Sequence, residues 1–319
     1  MMGKVRTVMG PISANDVGLT LIHEHLIDIY APMKGLLAKR PISFMQTDRE
    51  KELRSKAITE KDITEEMQCM RKLGLCTVVD QSGIKRDIHQ LVRISRNTGL
   101  NIVASTGCYP AMADEFVQDQ SIDKLTKLYV KEIKEGICDT GVKAGEIKTG
   151  LVGFNLSENS SAQIRNIRAA ARTHIETNAP IYAHTHSGFL AMELIEILES
   201  EGVGLSRVII GHLDCLPSLY YHKALIEKGV NIGYDTVGKD NWQPDSMRVE
   251  IIKRMTDLGY ADHIFLSTDI SRKSYLKKYG GYGYSYILED FVPRLKKAGV
   301  SEEAINTMLI ENPKRILPF

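Results

Sequence analysis

A chain of 319 residues that is 43% hydrophobic and 25% charged is long enough for one large folded domain or two ordinary ones, and too apolar to stay disordered. Its 41 Lys and Arg against 40 Asp and Glu leave a formal net charge of +1, which excludes a general pull toward nucleic acid or an anionic membrane. No apolar run approaches the roughly 20 residues that cross a bilayer, so no membrane partner is expected.

The start, Met1-Met2-Gly3-Lys4-Val5-Arg6, lacks the continuous apolar stretch of a secretory signal. The five cysteines (Cys69, Cys76, Cys108, Cys138, Cys215) contain no C-x-x-C pair, which fits a reducing compartment and small buried thiols better than a disulfide framework. The expectation is a cytoplasmic protein.

In chain order, β-rich runs fall at Leu19–His25, Thr77–Gln81, Asn101–Thr106, Gly145–Thr149, Pro180–His184, Arg207–His212, Asn231–Asp235 and Ile264–Asp269. Segments of helical period lie between them, for example Ile63–Leu73, Ile122–Ile133 and Ala191–Leu198. Gly74, Gly99 and Gly229 stand where helix ends favour glycine. Strand-helix alternation repeated eight times predicts an α/β protein, a (β/α)8 TIM barrel. No Pro/Gly/Ser-rich linker divides the chain, so residues 1–319 are expected to form one barrel domain, with Ala31–Arg54 as the largest insertion.

Barrel strands should be apolar, yet six of the eight runs carry an ionisable or metal-capable residue near the C-terminal end, the face where such barrels place active sites. They are His23 and His25, Asp80 (the weakest member), Lys148, His184, His212 and Asp269. A period of two turns His23 and His25 to the same side and Glu24 away. Four histidines and one aspartate at one mouth offer enough donors for two divalent ions such as Zn²⁺, Mn²⁺ or Co²⁺. Lys148 is anomalous, because an ammonium has no lone pair for a cation. Reaction with carbon dioxide would make it a carbamate, whose two oxygens can bridge two metals.

These elements resemble the phosphotriesterase-like family of the amidohydrolase superfamily, in its lactonase branch. The resemblance is carried by Gly18-Leu-Thr-Leu-Ile-His-Glu-His25, Lys143-Ala-Gly-Glu-Ile-Lys148, Ala179-Pro-Ile-Tyr-Ala-His184-Thr, Ile210-Gly-His212-Leu-Asp and Ser267-Thr-Asp269. It implies that His23 and His25 hold an inner metal, His184 and His212 an outer one, and N6-carboxylated Lys148 the bridge. Asp269 would complete the inner site and handle the proton of a bridging hydroxide. Tyr109 falls where the family has an aromatic residue beside the site. Some relatives bridge with glutamate, and Glu146 lies two places before Lys148, on the same side and one layer deeper; the lysine is the preferred bridge.

Bland readings compete with several of these. His186 could replace His184, although the strand register favours the latter. His89, His174, His222 and His263 are assigned to solvated faces, and Lys148 could be a barrel lysine paired with Glu146 or Asp80. Lys143 and Lys239 fit ordinary surface charges. The segment Ser271–Tyr286 holds four cations, five tyrosines and no acid, directly after the last strand, where barrel loops bind phosphate. Arg272 and Tyr275 are therefore expected to hold the far end of a substrate, with Lys239 reaching in from the preceding loop.

The expected function is a hydrolase that opens a lactone or carboxylic ester, in particular a phosphorylated sugar lactone, by attack of the metal-bridging hydroxide. The alternatives are an organophosphate triester hydrolase and, from another class, a metal-binding protein without catalysis. No G-x-S-x-G elbow supports a covalent nucleophile, and no P-loop or G-x-G-x-x-G follows a strand. A small-molecule substrate is the expected partner, and a homodimer is left open.

Overall fold

The computed structural model describes residues 3–28, 53, 57–83, 86–108, 116–153 and 161–319. The Ala31–Arg54 insertion, apart from Leu53, lies outside them. All eight expected barrel strands are present: β3 (Thr20–Glu24), β4 (Thr77–Asp80), β5 (Asn101–Gly107), β6 (Glu146–Gly150), β7 (Ile181–His184), β8 (Val208–Ile210), β9 (Asn231–Tyr234) and β10 (Ile264–Leu266). They form one parallel sheet in sequential order from β3 to β10. The sheet curls into a nearly closed barrel, and its two ends meet where the Asp269 N–H donates to the His23 carbonyl at 3.2 Å and the His23 N–H to the Ser267 hydroxyl at 3.0 Å.

Strand alternation sorts the side chains into two layers. Leu21, Val78, Ile102, Ile147, Ile181, Val208, Ile232 and Ile264 face outward and join the main core with Ile63, Met67, Leu91, Ile167, Leu194 and Leu225 from the helices. Ile22, Val79, Val103, Tyr182, Ile209 and Phe265 form a separate inner cluster, closed from below by Val5, Val17, Ile316 and Leu317. Val5 belongs to a hairpin of β1 (Lys4–Thr7) and β2 (Gly10–Ser13) that the sequence reading lacked. Its strands are four residues long and only partly buried, too short for a clear alternation. The barrel bottom is thus sealed with hydrocarbon, and the ionisable side chains of the site lie at the opposite end.

The helices that matter below are α1 (Glu60–Lys72), α2 (Ile88–Thr98), α3 (Ile122–Lys134), α4 (Ser161–Thr177), α5 (Ala191–Ser200), α6 (Leu219–Glu227) and α7 (Asp245–Asp257). Helix α1 begins with a capping box in which the Thr59 side chain accepts from the Asp62 N–H while Asp62 accepts from the Thr59 N–H. Gly99 ends α2 in the left-handed region at φ 68°. Three sequence assignments need correction. Only Cys108 is a buried thiol; Cys69 and Cys138 are exposed, and Cys76 and Cys215 are intermediate. His174 and His222 are buried in the core, where the first contacts the Ala179 carbonyl (2.8 Å) and the second the Tyr234 hydroxyl (2.6 Å). Helical period alone did not separate these polar rings from a solvated face.

Candidate metal centre

The C-terminal ends of β3, β6, β7, β8 and β10 deliver His23, His25, Lys148, His184, His212 and Asp269 to one mouth. His23 Nε2 lies 3.6 Å and His25 Nε2 3.1 Å from Asp269 Oδ1, a set of atoms close enough together to hold one metal ion. On the other side, His212 Nε2 and His184 Nδ1 approach to 2.6 Å. Between them, Lys148 Nζ sits 3.2 Å from His23 Nε2 and 4.8 Å above the Tyr182 ring. His184, and not His186, meets the other histidine; His186 pairs with Phe189 in the loop beyond. His212 and Asp269 follow the last residues of their strands with φ of 63° and 45°. Such left-handed conformations are uncommon for non-glycine residues and cluster at functional sites.

Asp235, just past β9, is a residue the sequence reading passed over. Fully buried, it accepts from His23 Nδ1 at 2.6 Å, from His212 Nδ1 at 2.8 Å, from the His212 N–H at 2.8 Å and from the Tyr182 hydroxyl. Although His23, His212 and Asp235 also lie close enough to hold an ion, each Asp235 oxygen is already within hydrogen-bond distance of a ring nitrogen. We therefore read Asp235 as the group that fixes two tautomers: with both Nδ1 atoms protonated, the Nε2 lone pairs face the mouth. Tyr182 reaches Asp235 through space left by Gly233, where a Cβ would run into its hydroxyl. The sequence shows only its position: Asp235 ends its run as Asp269 ends the next.

Lys148 is fully buried, and among the described residues no carboxylate lies within ion-pair distance of it. The two acids that might have paired with it are occupied elsewhere. Glu146, one layer deeper, accepts from the Gln81 amide, and Asp80 accepts from the Leu26 N–H (2.7 Å) and the Ser82 hydroxyl (3.0 Å). Burial outweighs the charges and hydrogen bonds that oppose it: it lowers Lys148 to about 8 against Asp269 and the other carboxylates nearby, raises Glu146 to about 8, and together with Lys148 lowers His23 to about 3. Burial also lowers His184 well below the usual histidine range, and a neutral imidazole such as His23 or His184 offers the lone pair that a divalent cation requires. His25 Nδ1 is buried without a hydrogen-bond partner, so its ring carries no competing contact on that side.

The remaining expected residues separate into two groups. Lys239 is 2% exposed and its ammonium contacts Asp269 Oδ2, which makes it a buried partner of the site instead of a surface charge. It also lies 5.4 Å from the Trp242 ring and 5.5 Å from that of Tyr275, while the Arg272 guanidinium is 5.8 Å from Tyr275. These four side chains gather beside Asp269. Lys143 is exposed before β6, as its bland reading held, and Tyr109 lies outside the described residues.

Three of the four cations in Ser271–Tyr286 are paired with acids, two of them with acids from a distant helix. Lys273 pairs with Asp62 (3.2 Å), Lys278 with Asp62 (3.3 Å) and Glu65 (3.1 Å), and Lys277 with Glu289. Asp62 also accepts from the Tyr279 hydroxyl at 2.9 Å, and Glu66 from the Lys277 N–H at 2.7 Å. Two of the four cations, Lys273 and Lys278, thus dock the loop on α1, Lys277 pairs with Glu289 just past the loop, and the Arg272 guanidinium lies near the Tyr275 ring.

A parallel barrel whose mouth collects histidines, an aspartate and a buried lysine defines a hydrolase of the metal-dependent barrel type. The chain belongs to the phosphotriesterase family, whose model matches residues 3–317. It is 34% identical over 256 residues to the phosphotriesterase homology protein of Escherichia coli, covering 79% of this chain and 87% of that one. It is 30% identical to the N-acetyltaurine hydrolase of Xenopus tropicalis over 100% of this chain and 99% of that protein. It is also 30% identical to the phospho-furanose lactonase of Mycoplasmopsis synoviae, over 98% and 91%. Among solved structures, a lactonase from Listeria monocytogenes superposes with a TM-score of 0.85 at 29% identity, covering 99% of each chain. No helix among the described residues is long and apolar enough to cross a membrane.

Proposed function

We propose that this enzyme is a binuclear metal hydrolase that opens a lactone or carboxylic ester, with a phosphorylated sugar lactone as its preferred substrate class. The observation that carries the reading is the pair of nitrogen and oxygen donor groups, His23/His25/Asp269 and His184/His212, on either side of a buried lysine without a carboxylate mate. In this reading His23, His25 and Asp269 would hold one divalent ion and His184 and His212 a second, Zn²⁺ or else Mn²⁺ or Co²⁺, and Lys148 as its N6-carboxylate would serve both. Bound there, the ions supply Lewis acidity and a hydroxide nucleophile at neutral pH. The chain's own residues do the rest: Asp269 takes up and returns the proton, Asp235 fixes the ligand tautomers, and Lys239 steadies Asp269 from the outer side.

Lys239, Arg272, Tyr275 and Trp242 together form a cationic, aromatic wall next to Asp269, suited to an anionic tail on the substrate. The name of the phospho-furanose lactonase relative agrees with such a tail, and N-acetyltaurine also ends in an anion. One preparation is therefore to be assayed against γ-lactones with and without a phosphate, 4-nitrophenyl esters, N-acetyltaurine and a phosphotriester. The reading expects the phosphorylated lactone to have the highest kcat/KM. It also expects Arg272→Met to lower that value about ten- to a hundred-fold, with little effect on neutral substrates. Equal losses on charged and neutral substrates would remove Arg272 from substrate recognition, and a preference for the triester would overturn the lactone assignment.

A further inference from the structure

Glu24 stands between His23 and His25 yet turns away from the mouth, and it is fully buried. Its Oε1 accepts from the Ser267 hydroxyl (2.7 Å), the Thr268 N–H (2.8 Å) and the Thr268 hydroxyl (2.7 Å), and its Oε2 from the Ile270 N–H (3.0 Å). Between those two backbone donors, the Asp269 N–H goes to the His23 carbonyl. Three consecutive N–H groups therefore bind to Glu24 and the residue before it. Successive N–H groups converge on an anion when a residue among them is left-handed, and the residue here is Asp269 at φ 45°. Among the described residues no strand ladder joins β3 to β10, so these contacts are what register the two ends of the barrel.

We propose that Glu24 is a positioning residue whose carboxylate holds Asp269 in its left-handed conformation, with Oδ1 directed at His23 and His25. The histidine pair and the aspartate come from opposite ends of the chain, and this contact makes one unit of them. A carboxylate suits the role because four donors converge on its two oxygens and none of them needs an acceptor in return. An amide at the same place has one oxygen, and its NH₂ would face donors. The proposal rests on the reading of Asp269 as the proton-handling group.

The test compares wild type, Glu24→Gln, Asp269→Asn and the double variant. We expect Glu24→Gln to lose about ten- to a hundred-fold in kcat while KM stays within about twofold, since misplacement of a catalytic group by about 1 Å has that effect. The double variant should lose no more than Asp269→Asn alone, because Glu24 acts through that residue. Backbone amides of residues 267–270 should exchange hydrogen faster in Glu24→Gln. A wild-type kcat, additive losses or unchanged exchange would overturn the proposal. If Glu24→Gln does not fold, Thr268→Val, which removes one of the four donors, carries the same comparison with a smaller loss of about threefold. If Asp269→Asn keeps full kcat, the reading of Asp269 falls. A crystal structure of Glu24→Gln then decides the clasp by itself: Asp269 leaving positive φ supports it, and Asp269 remaining there overturns it.

Discussion

Asp235→Asn should cripple metal binding without touching any atom that faces the mouth. In the native arrangement the two carboxylate oxygens each accept an Nδ1 proton, one from His23 at 2.6 Å and one from His212 at 2.8 Å. The amide has a single oxygen. Whichever way it is turned, one histidine meets an NH₂ group and must move its proton to Nε2, which removes the lone pair that faces the site. Loss of one charge-assisted hydrogen bond amounts to about 1.5–3 kcal/mol. If all of that is expressed as ligand misorientation, affinity falls roughly ten- to a hundred-fold, since about 1.4 kcal/mol is tenfold. Loss of an outer-shell partner of a metal-binding histidine generally falls in the same range of about 10–100-fold. Metal-free protein titrated with Zn²⁺ against a chromophoric chelator measures the change, and ¹⁵N NMR of the imidazoles reads the tautomers. Zn²⁺ affinity within twofold of wild type, with both Nδ1 protons retained, would refute the argument that Asp235 sets the lone pairs.

Lys148→Ala should lose most of the bound metal and activity, and a short carboxylic acid should restore part of both; unchanged metal content would move the bridge to Glu146. Asp62→Asn should raise KM for an anionic lactone severalfold and leave a neutral ester nearly unaffected, because Asp62 receives Lys273, Lys278 and Tyr279 from the loop that carries Arg272; steady-state kinetics on the two substrates check this. For stability, burial pushes His222 down to about 4, so the folded state binds fewer protons than the unfolded chain as the pH drops below the ordinary histidine value of about 6.5. Its contribution is present at neutral pH and lost between about pH 6.5 and 4, a difference of about 3 kcal/mol. In urea melts over that range, His222→Asn should show a shallower decline than wild type, and parallel declines would show that His222 does not titrate on unfolding.

Much of this architecture was legible in the sequence because barrel strands are short apolar runs and the exceptions stand out. His23, His25, Lys148, His184, His212 and Asp269 each break an apolar strand near its end, and the barrel brings those ends together. What stayed hidden were the groups that hold these side chains from behind. Asp235 stands at the end of a strand, but nothing in its neighbours says that two histidines from β3 and β8 will donate to it. Glu24 was placed by alternation as pointing away, and alternation does not reveal that three residues some 240 positions later supply its donors. The β1–β2 hairpin was missed because four-residue strands at an edge carry too little pattern.

The cationic loop has a second role that its own residues do not reveal, and the helix that receives it shows why. Counting charges along Ser271–Tyr286 shows four cations and no acid, which suggests a surface seeking an anion. Helix α1 buries Asp62, Ile63, Glu66, Met67 and Met70 on one face. Two acids four residues apart on an otherwise apolar face are costly to bury alone, so they require donors from another element. That requirement could have been read from Asp62-Ile63-Thr64-Glu65-Glu66-Met67 without knowing where the donors come from. Lys273 and Lys278 meet it through Asp62, and the N–H groups of Lys277 and Tyr284 through Glu66. Much of the loop's charge therefore fixes where the loop sits. Under the proposed function, anion recognition would fall to the side chains beside Asp269, so substitutions at Arg272 and Asp62 should act on the same substrates by different routes, one through contact and the other through the loop's position.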